Sequence, residues 1–270
     1  MRGISLTVPQ GKCFGFLGPN GAGKSTTIRS IMDFIRPDSG SITILGKDAR
    51  ADSTALKKLI GYVPAEPNLY ANWTVDEHIQ FVARVRGIDA APAGRLKDDL
   101  ELSGKPKIRH LSTGNQQKVA IVLGLMTAPK LLILDEPTRG LDPLLQAKFH
   151  ALLREYHKDG GTVFLSSHNL AEVDELCTDV AVIKEGQIIT ASTLSNLKQK
   201  SLHNVRATFT GKVPDLAKLG ATNLQLIGPT AHFQIRGDIN RILQELARRP
   251  VRDLEITRAS LEDMFMELYQ

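Results

Sequence analysis

The densest chemistry in this 270-residue chain sits in the stretch Gly18-Pro19-Asn20-Gly21-Ala22-Gly23-Lys24-Ser25-Thr26. Glycines let successive backbone N–H groups converge on phosphate oxygens. A helix starting at the end of the stretch adds its positive dipole end, and Lys24 brings a mobile positive charge to β- and γ-phosphates. The spacing fits G-x-x-x-x-G-K-[ST], preceded by an apolar run and followed by a predicted helix over Ser25–Ile35, which is the context the motif requires. Asn20, Gly21, Ala22, Gly23, Lys24, Ser25 and Thr26 are therefore candidate nucleotide-binding residues, with the Ser25 hydroxyl a candidate magnesium ligand.

A second element is the apolar run Leu131-Leu132-Ile133-Leu134, which ends in Asp135-Glu136. Asp135 at a strand tip would reach magnesium, directly or through a water. Glu136 alternates to the other side of a strand, yet at the tip it can orient and deprotonate an attacking water. Taken alone, such a run is as often a plain strand end as a site. Beside the loop at Lys24 it becomes a second phosphate-site element.

The segment Leu111-Ser112-Thr113-Gly114-Asn115-Gln116-Gln117-Lys118 resembles the signature of the ABC ATPases, keeping its leucine, serine and second glycine at Leu111, Ser112 and Gly114. Thr113 stands for the first glycine and Asn115 for the usual glutamine. Read alone, these residues are a helix cap. The resemblance makes Ser112 and Gly114 a dipole-assisted cradle for the γ-phosphate bound by the Lys24-type loop of a second subunit. Further elements similar to the family's follow in order. Leu141-Asp142 looks like the loop that contacts the partner, and His168 looks like the switch histidine, close to the γ-phosphate. The tail Leu261-Glu262-Asp263-Met264-Phe265 resembles that of the branch serving drug, antibiotic, lipid or polysaccharide exporters.

The resemblance implies an ATPase with ATP and Mg2+ as cofactors. Lys24, Glu136 and His168 are its catalytic candidates, and Ser25 and Asp135 its metal ligands. Its implied partners are a separate ABC-type membrane permease and a second ATP-binding subunit in a head-to-tail dimer, read as a homodimer. The implied location is cytoplasmic, on the inner face of the cell membrane. Two positions depart from the pattern. Ala65 stands where the family has a glutamine, and alanine can neither ligand magnesium nor hold a water. The adenine-stacking aromatic that the family places well upstream of the loop is not found, so either the true start lies before Met1 or the adenine is held less tightly.

These groups need a scaffold that collects them at one edge. Apolar runs at Lys12–Leu17, Ser41–Leu45, Leu59–Val63, Leu131–Leu134, Thr162–Ser166 and Val180–Lys184 alternate with amphipathic stretches, the pattern of a parallel or mixed sheet flanked by helices. Val180–Thr190 reads as a hairpin turning at Glu185-Gly186. Helix-forming sequence over about 75–125 reads as a helical insertion, the expected permease contact. The fold class is α/β, an ABC-type P-loop NTPase domain over 1–200, with a small ferredoxin-like α+β domain over 201–270. The latter is read from Val205–Thr210, Val213–Leu219, Asn223–Ile227, His232–Arg236, Ile239–Arg248 and Val251–Thr257, in the order βαββαβ. A last helix is expected at Ser260–Leu268.

Composition closes off other classes. The two cysteines, Cys13 and Cys177, form no metal-ligand spacing and suggest small core residues in a reducing compartment. No apolar stretch approaches the roughly 18 residues of a membrane span, and the start lacks a signal-peptide core. The net charge is +5, with the excess concentrated between Arg84 and Lys118, a solvated face or a surface toward lipid headgroups. No nucleic acid partner is expected, because the paired cassettes or long coiled coil of nucleic-acid-acting relatives are not present. The remaining alternative is a nucleotide-binding module with weak hydrolysis and a regulatory or non-transport role.

Overall fold

The computed structural model describes residues 1–199, 202–211, 213–236 and 239–258. The expected helix Ser260–Leu268 and the tail Leu261–Phe265 lie outside them. Two compact units divide the chain, Met1–Ser192 and Thr193–Gln270.

In the first unit the elements run β1 (Cys13–Leu17), α1 (Lys24–Ile31), β2 (Thr43–Ile44), β3 (Lys47–Asp48), α2 (Ser53–Lys57), β4 (Ile60–Val63), α3 (Val75–Arg86), α4 (Pro92–Asp99), α5 (Thr113–Leu125), β5 (Leu131–Asp135), α6 (Pro143–Lys158), β6 (Thr162–Ser167), α7 (Leu170–Leu176), β7 (Asp179–Lys184) and β8 (Gln187–Thr193). Six strands form one sheet in the order β4-β5-β6-β1-β7-β8. From β4 to β7 the pairings are parallel, with Ile60 opposite Leu131, Leu131 opposite Thr162, Cys13 opposite Val163 and Phe14 opposite Asp179. A parallel sheet covered by helices on both faces demands continuous apolar strands. Accordingly β1 is buried at every position and β5 at all but its first. Phe14, Phe16, Ile28, Ile60, Ile133 and Phe164 join in one core cluster, and Phe14 stacks on Phe164 at 6.0 Å.

Some expectations needed correction. Ser41–Leu45 is not a strand of this sheet. Only Thr43–Ile44 is extended, and it pairs back on Lys47–Asp48, because Leu45 and Gly46 both take positive φ (50° and 77°) and close a tight hairpin. The helix expected to reach Ile35 stops at Ile31, where the chain turns through Asp33 at φ 54°. The hairpin at Glu185-Gly186 forms as expected, with φ of 48° and 77° at the two turn residues. The two cysteines, distant in sequence, lie side by side in the core with sulfurs 3.6 Å apart as free thiols. The Cys13 contact, followed by burial, pushes the Cys177 thiol well up.

The helical insertion is secured at its ends. Thr74 caps α3 in a reciprocal box, its hydroxyl accepting from Glu77 N–H while the Glu77 carboxylate accepts from Thr74 N–H. At the C-terminal end of its first helix, α3, the Arg86 guanidinium donates to the carbonyls of Lys57 and, at 3.1 Å, Ile60, fixing α3 to the start of β4.

The second unit contains α8 (Leu194–Gln199), β9 (Leu202–Phe209), β10 (Ala221–Ile227), β11 (Thr230–Arg236), α9 (Ile239–Ala247) and β12 (Val251–Arg258). Its sheet has the order β10-β11-β9-β12 with antiparallel pairings throughout, the ferredoxin-like arrangement. The helix expected at Val213–Leu219 shortens to a single 3-10 turn at Ala217–Leu219. Pro214 lacks an N–H and Gly220 leaves in the left-handed region, so too few residues remain to offset helix nucleation. Val205, Phe209, Leu216, Phe233, Ile242 and Leu246 make a core of its own.

Candidate functional site

Because β1, β4, β5 and β6 run parallel, their carboxyl ends lie along one edge of the sheet. The phosphate loop, Pro64-Ala65, Asp135-Glu136 and Ser167-His168 each leave from one of these ends. Ligands of open α/β sheets bind at this edge.

The loop after β1 is shaped by three glycines. A Cβ on Gly18 would stand 2.5 Å from the Ile183 carbonyl oxygen, so that position has no room for a side chain. Gly21 and Gly23 take φ of 80° and 111°, conformations that L side chains rarely adopt. Gly23 is the N-cap of α1 and offers no side chain to its free N–H groups. Lys24 is only 6% exposed. Its ammonium donates to Gly18 O at 2.6 Å and Pro19 O at 3.3 Å, folding back over the loop it closes. Ser25 and Thr26 follow on the first turn of α1.

Glu136 does not alternate to the far side of a strand as the sequence suggests. β5 ends at Asp135, and Glu136 takes a left-handed φ of 49° while its N–H donates to Ser166 O at 3.0 Å. Strain of this kind is stored where neighbours over-determine it. The turn brings Glu136 Oε1 to 3.0 Å from Lys24 Nζ and Glu136 Oε2 to 2.6 Å from His168 Nδ1. Glu136 is thus in direct contact with both of the other catalytic candidates. Glu136 Oε1 has no hydrogen bond in good geometry among the described residues, its contact with Lys24 being one of charge.

Asp135 is 3% exposed and accepts a hydrogen bond from Ser166 Oγ at 2.5 Å, its partner in register on β6. Ser166 had no functional reading in the sequence. The signal was the equal register of two strand ends, which cannot be known before β6 is placed next to β5. On β4, burial and then the charge of Asp135 push the Tyr62 phenol up to about 12, partly opposed by Arg29. The hydroxyl of Ser25 and the carboxylate of Asp135 are hard oxygen donors of the kind magnesium takes, one carboxylate plus a hydroxyl, the remaining positions being left to water and phosphate. Among the described residues no group of three His, Cys, Asp or Glu could hold a softer metal.

Ser112 and Gly114 lie on a different segment. Ser112 is the N-cap of α5 and accepts from Asn115 N–H at 3.3 Å, exposed to solvent. Gly114 is pressed against the turn before α6, where a Cβ would meet Gly140 O at 2.6 Å. This contact with Gly140 was not read from the sequence. Asp142 caps α6 by accepting from Leu145 N–H at 3.0 Å, with Pro143 at the first helical position. Ala65 brings no polar side chain to the edge. Its neighbour Glu66 points to Arg139 at 3.2 Å, both largely exposed, and Pro64 O is held by Gln117 Nε2 at 3.3 Å.

The family model described as ABC transporter matches residues 1–139. The bacitracin transport ATP-binding protein of Bacillus licheniformis is 32% identical over 98% of this chain and 90% of its own length. The Nod factor export ATP-binding protein I of Rhizobium sp. (strain N33) is 31% identical over 99% of this chain and 91% of its own. A solved ATP-binding subunit of an ABC transporter superposes with a TM-score of 0.72 at 25% identity, covering 99% of this chain and 92% of that one. Matched over nearly its whole length by transporter ATP-binding subunits, and by the family model across the loop that holds Lys24, the chain belongs to the ABC transporter family and is an ATPase of its exporter-related branch.

Proposed function

We propose that this chain energises a separate membrane permease by hydrolysing ATP at the edge where Lys24, Glu136 and His168 meet. The observation that carries the reading is the double anchoring of Glu136, by Lys24 at 3.0 Å and His168 at 2.6 Å. Lys24 is the group a triphosphate attracts most strongly. As its ammonium turns to the β- and γ-phosphates, Glu136 Oε1 is released while Oε2 stays on His168. The freed oxygen takes a proton from the water that attacks the γ-phosphorus, the bond to the bridging oxygen breaks, and ADP and phosphate leave. Magnesium, held by Ser25 and Asp135, would neutralise charge on the phosphate oxygens.

The exposed cap of α5 suits a role on another molecule's nucleotide. Exposed Ser112 caps, and exposed Thr113 begins, a helix of thirteen residues, whose first N–H groups have no partner within the helix. In a head-to-tail homodimer this end closes the partner's γ-phosphate, and Leu141-Asp142 lies beside it. The permease docks on the helical insertion and the loop before it, where exposed Tyr70 (59%) and Phe81 cluster with Trp73 and Val85 of α3 is 66% exposed. Among the described residues no helix is long and apolar enough to cross a membrane. The bacitracin transport and Nod factor export relatives support export of a drug, antibiotic, lipid or polysaccharide, with the chain working at the inner membrane face in this reading.

Magnesium-dependent turnover of the purified chain beside Glu136→Gln tests the reading. Removing the proton acceptor should lower kcat by about 10²–10⁴-fold while nucleotide binding persists. Equal turnover in both would remove Glu136 from catalysis. Ala65 favours the second reading, a module that binds ATP and hydrolyses it poorly. Bound ATP with no turnover in the parent, even with a permease, would select it.

A further inference from the structure

Buried beside the candidate site is a set of polar groups that the reading above does not use. Ser167, the residue before His168, is 1% exposed. Its hydroxyl donates to Glu172 Oε2 at 2.6 Å and accepts from Asn169 N–H at 2.9 Å. Asn169 in turn caps α7 through Ala171 and Glu172 N–H. His168 is therefore bracketed by two residues whose positions both depend on the first turn of α7.

Glu172 is 2% exposed, an expensive place for a carboxylate with one hydroxyl donor. Its other oxygen, Oε1, has no hydrogen-bond partner among the described residues and neither has His150 Nε2. The two face each other across 3.6 Å. On its opposite nitrogen, His150 Nδ1–H donates to Glu175 Oε2 at 2.9 Å, and Glu175 Oε1 accepts from Arg154 at 2.6 Å. The charged groups that face His150 are thus Glu172 and Glu175 of α7, with Arg154 of its own helix beyond. An imidazolium satisfies both carboxylates. A neutral ring with its proton on Nδ1 leaves Nε2 as a lone pair against Glu172.

We propose that Glu172 is a positioning residue for His168, and that the proton on His150 sets how firmly Glu172 holds the turn, so that loss of that proton slows ATP hydrolysis. The inference rests on His168 acting through Glu136 as described above. The His150 imidazolium draws Glu172 toward α6, Glu172 holds Ser167, and the His168 ring is held on Glu136 Oε2.

The test is magnesium-dependent ATP turnover of the full chain between about pH 6 and 9, the range a histidine covers. Parent, Glu172→Gln, His150→Gln and His168→Ala are compared for kcat, KM for ATP and Tm. Glu172→Gln should lower kcat by about tenfold with KM within about twofold. His150→Gln, whose side chain donates without titrating, should turn over more slowly than the parent at low pH and approach it as pH rises. A folded Glu172→Gln with parental kcat at every pH, or a His150→Gln-to-parent ratio independent of pH, overturns the proposal. If Glu172→Gln does not fold, the His150→Gln ratio decides. Slow His168→Ala beside unchanged Glu172→Gln sinks this inference alone, whereas unchanged His168→Ala removes the role of His168 and this inference with it. If the parent shows no turnover, the ring resonances of His168, assigned by their loss in His168→Ala, decide: they must shift with His150 titration in the parent and not in His150→Gln, and their immobility overturns the proposal.

Discussion

The carboxylate of Asp135 has the hydroxyl of Ser166 as its neighbour across the sheet, and that single contact is open to measurement. Ser166→Ala removes the donor from a buried charged acceptor, a loss of about 1–3 kcal/mol. Chemical denaturation should show that loss, and the ATPase should need more magnesium for half-maximal rate because Asp135 is less firmly aimed. A stability loss with unchanged magnesium dependence would confine Ser166 to a structural role. His150 carries a second expectation, in pH. Glu172, 3.6 Å away and beyond hydrogen-bond length, holds its pKa above the usual 6.5; burial works against this and Glu175 adds to it. A raised histidine pKa stabilises the fold fully below the unfolded value and ceases to do so as pH rises through the folded one. The Arg154 hydrogen bond first, and His150 next, hold Glu175 below its usual 4.5, so its contribution is present above 4.5 and lost as pH falls through the folded value. Both contributions are complete between pH 4.5 and 6.5. The denaturant midpoint of the parent should therefore fall from pH 6 toward pH 8.5 by more than that of His150→Gln.

At the level of elements, two helix starts carry expectations that separate structure from function. Ser112 and Asp142 are both N-caps with the side chain accepting from the third helical N–H. Each alanine substitution should cost about 1 kcal/mol of stability. Under the proposed head-to-tail pairing both substitutions should weaken ATP-induced dimerisation, readable by light scattering, and only Ser112→Ala should in addition lower turnover at saturating ATP; unchanged turnover in Ser112→Ala would leave Ser112 a cap and nothing more. The cap at Ser112 was legible in the sequence, as were β1, β5, β6 and β7, because a strand buried on both faces is an unbroken apolar run and Ser before a helix-forming stretch is a common N-cap. Other features depend on neighbours that no local pattern names. The hairpin at Thr43–Asp48 is extended sequence that lost its place in the sheet to a positive-φ turn. The left-handed Glu136 is invisible to period-two alternation, since the strand ends one residue earlier. The pairing of Ser166 with Asp135 and the contact of Gly114 with Gly140 both arise from sheet order and helix placement. That order, with β6 between β5 and β1, is not written in any single segment.

For the molecule as a whole, the only tryptophan is a convenient reporter. Trp73 stands in the first unit, packed on Tyr70 at 4.4 Å and Phe81 at 5.3 Å. The proposed nucleotide site lies in that unit, so ATP at a hundred times its Kd should raise the unfolding free energy seen by Trp73 fluorescence by about 2.7 kcal/mol. Lys24→Ala should abolish most of the shift, and a shift that survives it would place the nucleotide elsewhere.

The central place of β1 also has a meaning in time. Its two neighbours, β6 and β7, begin at Thr162 and Asp179, so the strand that launches the phosphate loop leaves the ribosome long before either companion exists. At ordinary elongation rates the interval is roughly ten to thirty seconds. Throughout it, Cys13, Phe14, Phe16 and Leu17, all destined for the core, have no sheet to enter. The nascent chain thus carries these apolar residues unpaired until late in the first unit's synthesis, and the phosphate loop waits for β6, beside its own strand, before the edge that holds it can form.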